Sequence, residues 1–286
     1  MLTQDHSSWG HSASTGLGFT HEAIVDAHFL ACAEHYQAVL DQVGIRSGWH
    51  VLDAGCGSGA FLPRLSELVG AEGRISGIDL APENAALAAE RMRACRPGTH
   101  PDIQQGDILG LPYEDDTFDA VWCANTTQYL DDEEIVRALA ELRRVVRPGG
   151  LVAVKDLDAG LITARPADPF LFTDFFRAAA ATPGYARQLL RTRELYQWLD
   201  RAGLEEVRQQ TVLIEHRAPL RPAAAEFYGL ACARIAQQAS DLGLGEQWTA
   251  FIDQDDPAHP LRSRHGYISE GNTLAVGTVP GKARQA

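Results

Sequence analysis

The sequence predicts an α/β protein built on one mostly parallel sheet with helices on both faces. Three observations predict it. Strand-like and helix-like segments alternate over residues 50–154, a glycine-rich turn follows the first of these strands, and two more strand-like segments lie near the C-terminus. Alternation of this kind is typical of βαβ units, whose crossover helices cover both faces of a parallel sheet. Five strands in the first run and two near the C-terminus give a seven-stranded sheet.

Composition bounds the class of protein before any motif is considered. The 286 residues are 45% hydrophobic, which is ordinary for a globular chain with a full core. The net charge of −13 argues against binding to nucleic acid, which needs clustered lysine and arginine. No apolar run is long enough for a membrane span and the N-terminus lacks a secretory pattern, so we expect a cytoplasmic protein.

The five cysteines predict neither disulfides nor a metal site. They are odd in number, widely scattered and contain no Cys-x-x-Cys pair. Small disulfide-rich domains and structural zinc sites both require paired spacings. We therefore expect free thiols and no metal.

The elements of the first half follow from periodicity and from breaker residues. Helix formers dominate residues 20–43, and Pro82 is suited to the first turn of a helix that Pro97 and Gly98 would end. Four consecutive acids from Asp131 and three arginines near the other end match the dipole of one amphipathic helix. The predicted strands are 50–53, 74–79, 103–107, 118–124 and 151–154, and the predicted helices are 20–43, 61–69, 82–95 and 131–147.

The second half predicts an insertion between the last two strands. Residues 206–216 and 272–279 alternate like strands, and residues 217–271 between them contain at least one helix, 223–239. A long insertion near a ligand site can act as a lid or as a dimer contact, and both interpretations stay open. We therefore expect an N-terminal arm and helix over the cofactor site (1–44), a cofactor-binding domain (45–216 and 272–286) and an inserted helical lid or substrate region (217–271).

The glycine-rich turn is compatible with two cofactors by spacing alone. Gly55, Gly57 and Ala60 satisfy the dinucleotide pattern G-x-G-x-x-G/A, and S-adenosylmethionine (SAM) uses a similar turn. Asp53, two residues before the first glycine, favours SAM, because its carboxylate would repel the pyrophosphate of NAD. SAM instead brings a sulfonium and an ammonium group, both cationic.

Acids end three successive strands of the predicted sheet. Asp53, Asp79 and Asp107 would all lie at the carboxyl edge, where open α/β sheets bind their ligands. A SAM molecule laid along this edge would place its amino-acid end at Asp53, its ribose hydroxyls at Asp79 and its adenine amino group at Asp107. A carboxylate accepts two hydroxyl hydrogens at once, which suits a ribose.

These motifs resemble those of class I SAM-dependent methyltransferases, and especially the ubiquinone/menaquinone-type and natural-product small-molecule enzymes. The resemblance covers about residues 45–156 and implies a Rossmann-like fold that binds SAM and releases S-adenosylhomocysteine. It rests on five ordered segments, 51–59, 77–81, 106–113, 118–121 and 142–150. It implies the following cofactor-binding residues: Asp53, Gly55, Cys56, Gly57, Gly59, Asp79, Leu80, Asp107, Ile108 and Asn125.

Catalytic residues are less well defined by the resemblance. Many relatives carry a histidine after the fourth strand, where this chain has Gln128 and Tyr129, so that base cannot be transferred. The remaining candidates are His28, on the N-terminal helix expected over the cofactor, and Asp156, just past the fifth strand.

The predicted function is methyl transfer from SAM to an O, N or C atom of a small, partly apolar molecule, in a biosynthetic or secondary-metabolic role. Two alternatives remain at this point: a SAM-binding enzyme with a non-methylating reaction such as cyclisation, and an NAD-dependent dehydrogenase. The expected partners are the small-molecule substrate and, through the insertion, a second copy of the chain.

Overall fold

A computed structural model describes residues 12–95 and 102–281, and it confirms the predicted seven-stranded α/β sheet. The strand order is β3-β2-β1-β4-β5-β7-β6. Strands β1 to β5 pair in parallel, whereas hydrogen bonds of Gly149 and Gly150 with Val279 show that β7 runs antiparallel to β5. The strands are β1 His50–Ala54, β2 Arg74–Asp79, β3 Asp102–Gln105, β4 Phe118–Ala124, β5 Val146–Arg165, β6 Glu205–Arg217 and β7 Tyr267–Thr278.

The helices of the described residues cover both faces of the sheet. All seven residues of β4 are buried, as expected for a central strand with helices on either side. The helices are α1 Glu22–Asp41, α2 Leu62–Val69, α3 Pro82–Cys95, α4 Asp132–Val145, α5 Leu171–Ala179, α6 Tyr185–Arg191, α7 Leu195–Arg201, α8 Pro222–Asp241 and α9 Gly245–Trp248. Among the described residues no helix is both long and apolar enough to cross a bilayer.

Helix α4 shows how local sequence sets an element. Asp131 caps the helix by accepting hydrogen bonds from the backbone N–H groups of Glu133 and Glu134, while the Glu134 carboxylate accepts from the N–H of Asp131. This reciprocal arrangement satisfies donors that the first helical turn would leave unpaired. Ile135, Leu142 and their apolar neighbours on the same face are buried against the sheet core. The run of acids is therefore a helix start, as the sequence indicated.

The chain divides into two compact units. Unit 1 contains residues 1–36, 157–191 and 212–272, and unit 2 contains residues 37–156, 192–211 and 273–286. Most of α1 and the whole of the inserted segment fall in unit 1, together with residues 157–191, which the sequence had grouped with the cofactor-binding domain. The roles expected for these segments, as a cover or lid, stay predictions.

Several element boundaries differ from those expected. Strand β5 runs from Val146 to Arg165 instead of 151–154, because the Pro-Gly-Gly segment pairs with the end of β7 and the strand continues past Asp156. Strand β3 ends at Gln105 because the Asp107 carboxylate accepts a hydrogen bond from the N–H of Leu109 and turns the chain. The predicted helix stop at Pro97 and Gly98, and the first part of the predicted N-terminal arm, lie outside the described residues.

Candidate SAM-binding site

The turn between β1 and α2 has a backbone that only glycine suits well. Gly55, Gly57 and Gly59 have φ of 76°, 52° and 83°, in the left-handed region. A Cβ on Gly55 would collide with the side chain of Thr126, and one on Gly59 would lie 2.9 Å from the Cα of Ala88. The turn is therefore packed closely on two sides, at positions where only the absence of a side chain allows the contact.

Asp53 is a buried carboxyl group with an open oxygen. It is only 1% exposed, and its Oδ2 atom has no hydrogen-bond partner among the described residues. Burial, together with the smaller effect of the neighbouring charge of Asp79, raises the pKa of Asp53 to about 8. A buried polar atom without a partner is costly. An ammonium group at this position would supply both the missing hydrogen bond and the compensating charge.

Asp79 connects the second strand to the glycine turn. Its Oδ2 accepts a hydrogen bond from the N–H of Gly57 at 2.8 Å, and its Oδ1 accepts from the N–H of Ala81 at 3.0 Å and from Asn84 Nδ2 at 3.4 Å. Burial raises the pKa of Asp79, and these hydrogen bonds oppose that rise. A carboxylate offers about four acceptor positions, so capacity remains for a ribose hydroxyl.

The residues predicted around adenine follow the second and third strands. Leu80 is 45% exposed, unusual for a large apolar side chain beside a site, and it is available to pack on a base. Ile108 is buried, whereas Asp107 is exposed, with its Oδ1 accepting from the N–H of Leu109 at 2.9 Å. Cys56 is buried, and burial raises the pKa of its thiol well above the usual value. An apolar side chain and an acid therefore flank the expected position of the base.

The loop after β4 is fixed by a buried lysine. Lys155 is fully buried, and its Nζ donates a hydrogen bond to Asn125 Oδ1 at 2.7 Å. Asn125 has φ of 53°, and its N–H donates to the carbonyl oxygen of Lys155 at 2.7 Å. Since that N–H is committed, a backbone contact from Asn125 to a ligand would come from its carbonyl.

Asp156, one of the two candidate catalytic residues, is buried beside the same loop. It is 1% exposed, and its two carboxylate oxygens accept from the N–H of Thr126, at 3.1 Å, and from the hydroxyl of Thr127. These bonds hold the loop whose Thr126 contacts Gly55. Its geometry supports a positioning role, and proton transfer by Asp156 stays a prediction.

His28, the other candidate, lies in unit 1 within a polar cluster that the sequence did not reveal. Its Nε2 lies 2.9 Å and 3.1 Å from the two carboxylate oxygens of Glu270 and 3.1 Å from the hydroxyl oxygen of Tyr36. Its ring stacks on Phe227 with centroids 3.9 Å apart. Glu270 had no sequence signal because it sits 242 residues from His28 and outside every recognisable motif.

The groups at the carboxyl edge of the sheet in unit 2 match the chemistry of SAM. A buried carboxyl group with an open oxygen, a tight glycine turn, a second carboxyl group and an exposed leucine lie along this edge. They follow the order in which the sequence predicts contacts to the ammonium, methionine, ribose and adenine parts of SAM. Asp53 is unfavourable to a dinucleotide pyrophosphate. Fold and site together define a class I SAM-dependent methyltransferase.

Comparison with known proteins gives the same class. Residues 51–150 match the family described as a methyltransferase domain. A demethylmenaquinone methyltransferase of Staphylococcus aureus strain MRSA252 is 28% identical over 179 residues, which are 60% of this chain and 69% of that protein. The protein of strain JH9 matches with the same identity and coverage. The protein is a SAM-dependent methyltransferase that resembles quinone methyltransferases, and the dinucleotide alternative is set aside.

Solved structures share the fold. The phospholethanolamine N-methyltransferase 2 of Haemonchus contortus, in complex with phosphomonomethylethanolamine and S-adenosylhomocysteine, has a TM-score of 0.54 at 16% identity, covering 97% of this chain and 59% of that one. A solved cyclase, SpnF, has a TM-score of 0.50 at 22% identity, covering 86% of this chain and 79% of that one. At these identities the likeness extends to the fold alone.

Proposed function

We propose that the protein methylates an O, N or C atom of a small, partly apolar molecule in a biosynthetic pathway of secondary metabolism. The observation that carries the small-molecule acceptor is the match to proteins named demethylmenaquinone methyltransferase, 28% identical over 179 residues. The net charge of −13 is unsuited to nucleic acid, whose phosphates need clustered lysine and arginine.

The proposal assigns cofactor binding to unit 2. Asp53 would hold the ammonium group, the turn of Gly55, Cys56, Gly57 and Gly59 would lie against the methionine part, and Asp79 would accept hydrogen bonds from the ribose. The proposed adenine contacts are Leu80, Asp107 and Ile108, with the carbonyl of Asn125 alongside.

Positioning accounts for most of the catalysis that these residues can provide. SAM supplies a methyl group already activated by a positively charged sulfur, which leaves as neutral S-adenosylhomocysteine when the acceptor displaces it in line. The residues of unit 2 fix the cofactor against rotation and translation, and such alignment can lower a barrier by about 7–11 kcal/mol. An acceptor that carries a weakly acidic hydroxyl also needs a group to take its proton.

Acceptor recognition is proposed for unit 1. The aromatic segment at 170–176 in this unit offers little free surface to a substrate. Phe172 and Phe175 are buried against Trp248 and Phe251 and form the core of this unit, while of its phenylalanines only Phe170 is exposed.

The lid and dimer roles of residues 217–271 remain proposals, and an oligomeric state measured by light scattering separates them.

Cofactor binding is tested first, independently of the acceptor. Isothermal titration with S-adenosylhomocysteine should give one site per chain, and NADH should give none. Asp79→Asn should weaken binding ten- to hundredfold by removing an ionised acceptor from the ribose. Asp200→Asn, an exposed acid on α7, is the matched control and should bind like the parent. Equal affinity of all three proteins would contradict the assigned site.

The acceptor is then sought by label transfer. Protein incubated with methyl-labelled SAM and a panel of reduced quinones, phenols and amines should move label to at least one compound, with S-adenosylhomocysteine formed in equal amount. Mass spectrometry of ligand carried through purification would narrow the panel. A bound acceptor that changes mass by rearrangement, without gaining a methyl group, would instead support the cyclisation alternative.

A further inference from the structure

The polar cluster of unit 1 brings together three side chains of the kinds that bind transition metals. His28 and Cys32 lie four residues apart on α1, so both face the same side of the helix, and Glu270 lies on β7. One ligand atom from each, the imidazole nitrogen, the thiol sulfur and a carboxylate oxygen, lies within 4.8 Å of the other two.

Two of the three separations approach those of a tetrahedral metal site. Cys32 Sγ lies 3.6 Å from Glu270 Oε1, and His28 Nε2 lies 2.9 Å from the same oxygen. Zinc bonds of about 2.0–2.3 Å at tetrahedral angles put neighbouring ligand atoms roughly 3.3–3.6 Å apart. Small side-chain movements would therefore turn these hydrogen-bonded groups into three ligands of one ion.

Burial and charge favour a divalent ion. Cys32 is fully buried and Glu270 is 2% exposed, so an ionised pair of these two groups would place two negative charges in the interior. A divalent cation would balance one thiolate and one carboxylate, with a neutral imidazole as the third ligand. Glu270 Oε1 also accepts a hydrogen bond from Asn272 Nδ2 at 2.8 Å, which orients the carboxylate as outer-shell partners of metal ligands commonly do.

Two phenols flank the three candidate ligands. The hydroxyl of Tyr36 lies 3.1 Å from His28 Nε2, and the hydroxyl of Tyr228 lies 3.6 Å from Cys32 Sγ. The side chain of His28 is 16% exposed, whereas Cys32 and Glu270 are buried. Three protein ligands with one position left for water or a substrate oxygen are typical of reactive zinc sites.

We propose that His28, Cys32 and Glu270 bind one zinc-class divalent ion in unit 1. The site goes beyond the methyltransferase activity, which needs no metal for the transfer itself. It also redefines His28: a metal-bound imidazole nitrogen has lost its lone pair and cannot accept a proton there. Spacing of cysteines alone could not indicate this site, because it contains a single cysteine and its third ligand is distant in sequence.

The test is a titration of chelator-treated protein, without a polyhistidine tag, with Co²⁺ and then competition with Zn²⁺. The proposal expects one Co²⁺ per chain, with a thiolate-to-cobalt absorption band that Zn²⁺ abolishes. Cys32→Ser should remove the band and weaken binding at least a hundredfold. Glu270→Gln should weaken binding while keeping the band.

Cys232→Ser is the matched control, because Cys232 is also a fully buried free thiol of unit 1 but lies on α8, outside the cluster. It should bind Co²⁺ like the parent. Circular dichroism and S-adenosylhomocysteine titration establish that every variant is folded, and a failure of the latter in the parent would refute the proposed function without touching the metal site. The proposal is overturned by an absence of stoichiometric Co²⁺ in the parent or by Cys32→Ser titrating like the parent. Either result would leave His28 and Glu270 as a hydrogen-bonded pair available for proton transfer.

Discussion

Protonation of Asp53 is expected to compete with binding of the SAM cation. Burial and the nearby Asp79 hold the pKa of Asp53 at about 8 in the ligand-free protein, so its carboxyl is mostly neutral at pH 7. A neutral carboxyl offers the ammonium group no compensating charge. We therefore expect the affinity for SAM, relative to that of an Asp53→Asn variant, to rise with pH, and SAM binding below pH 8 to release a proton.

The size of the effect follows from the ionised fraction. With a pKa of about 8, about 3% of the carboxyl is ionised at pH 6.5 and about 90% at pH 9. If only the ionised form binds, the affinity of the parent relative to Asp53→Asn rises roughly thirtyfold across this range, equivalent to about 2 kcal/mol.

Isothermal titration at four pH values between 6.5 and 9, each in two buffers of different ionisation enthalpy, measures both the affinity and the proton release. Asp53→Asn is the control: it should bind weakly, with no proton release from this position. The amino group of SAM titrates in the same range, but it does so equally with both proteins, so the ratio of their affinities isolates Asp53. A ratio that stays constant from pH 6.5 to 9 would refute the reasoning.

Three further outcomes are expected. Because the pKa of Asp53 is raised on folding, the folded protein loses stability as the pH rises from about 4 to 8. Asp53→Asn removes this loss, so it should stabilise the ligand-free protein at pH 7 by up to about 4 kcal/mol, measured as a higher Tm. Gly55→Ala should destabilise by more than Gly149→Ala in urea denaturation and also abolish SAM binding; both glycines have positive φ, but a Cβ meets a side chain only at Gly55. Thr127→Val should cost about 1–3 kcal/mol in the same assay, because it removes a donor from the buried Asp156 carboxylate. An unchanged midpoint for any of these variants would contradict the contact concerned.

The cofactor edge could be predicted because its signals are local. Asp53 and the glycines lie within seven residues, and Asp79 follows the next strand, so the parallel order of strands is enough to bring them together. The structure adds the direct bond between them, from the N–H of Gly57 to Asp79. Strand and helix types were predictable for the same reason, since periodicity and caps act over a few residues.

The remaining features depend on contacts between distant segments. Lys155 reads as a surface charge in the sequence, and only the approach of the loop after β4 provides the amide oxygen of Asn125 that allows its burial. Glu270 lies in a strand with no motif, and its partner His28 is near the other end of the chain. No local pattern encodes such pairs, so sequence reasoning proposed His28 without its acidic neighbour.

The exposed side chain of Leu80 has a thermodynamic consequence for ligand binding. The Leu80 side chain lies in water at the end of β2. An adenine base that packs on it would displace the water ordered around this apolar surface. Binding of the adenosyl compound should then carry a negative heat-capacity change, and Leu80→Ser should make it less negative. In this protein, part of the affinity for a highly charged ligand would thus come from the hydrophobic effect.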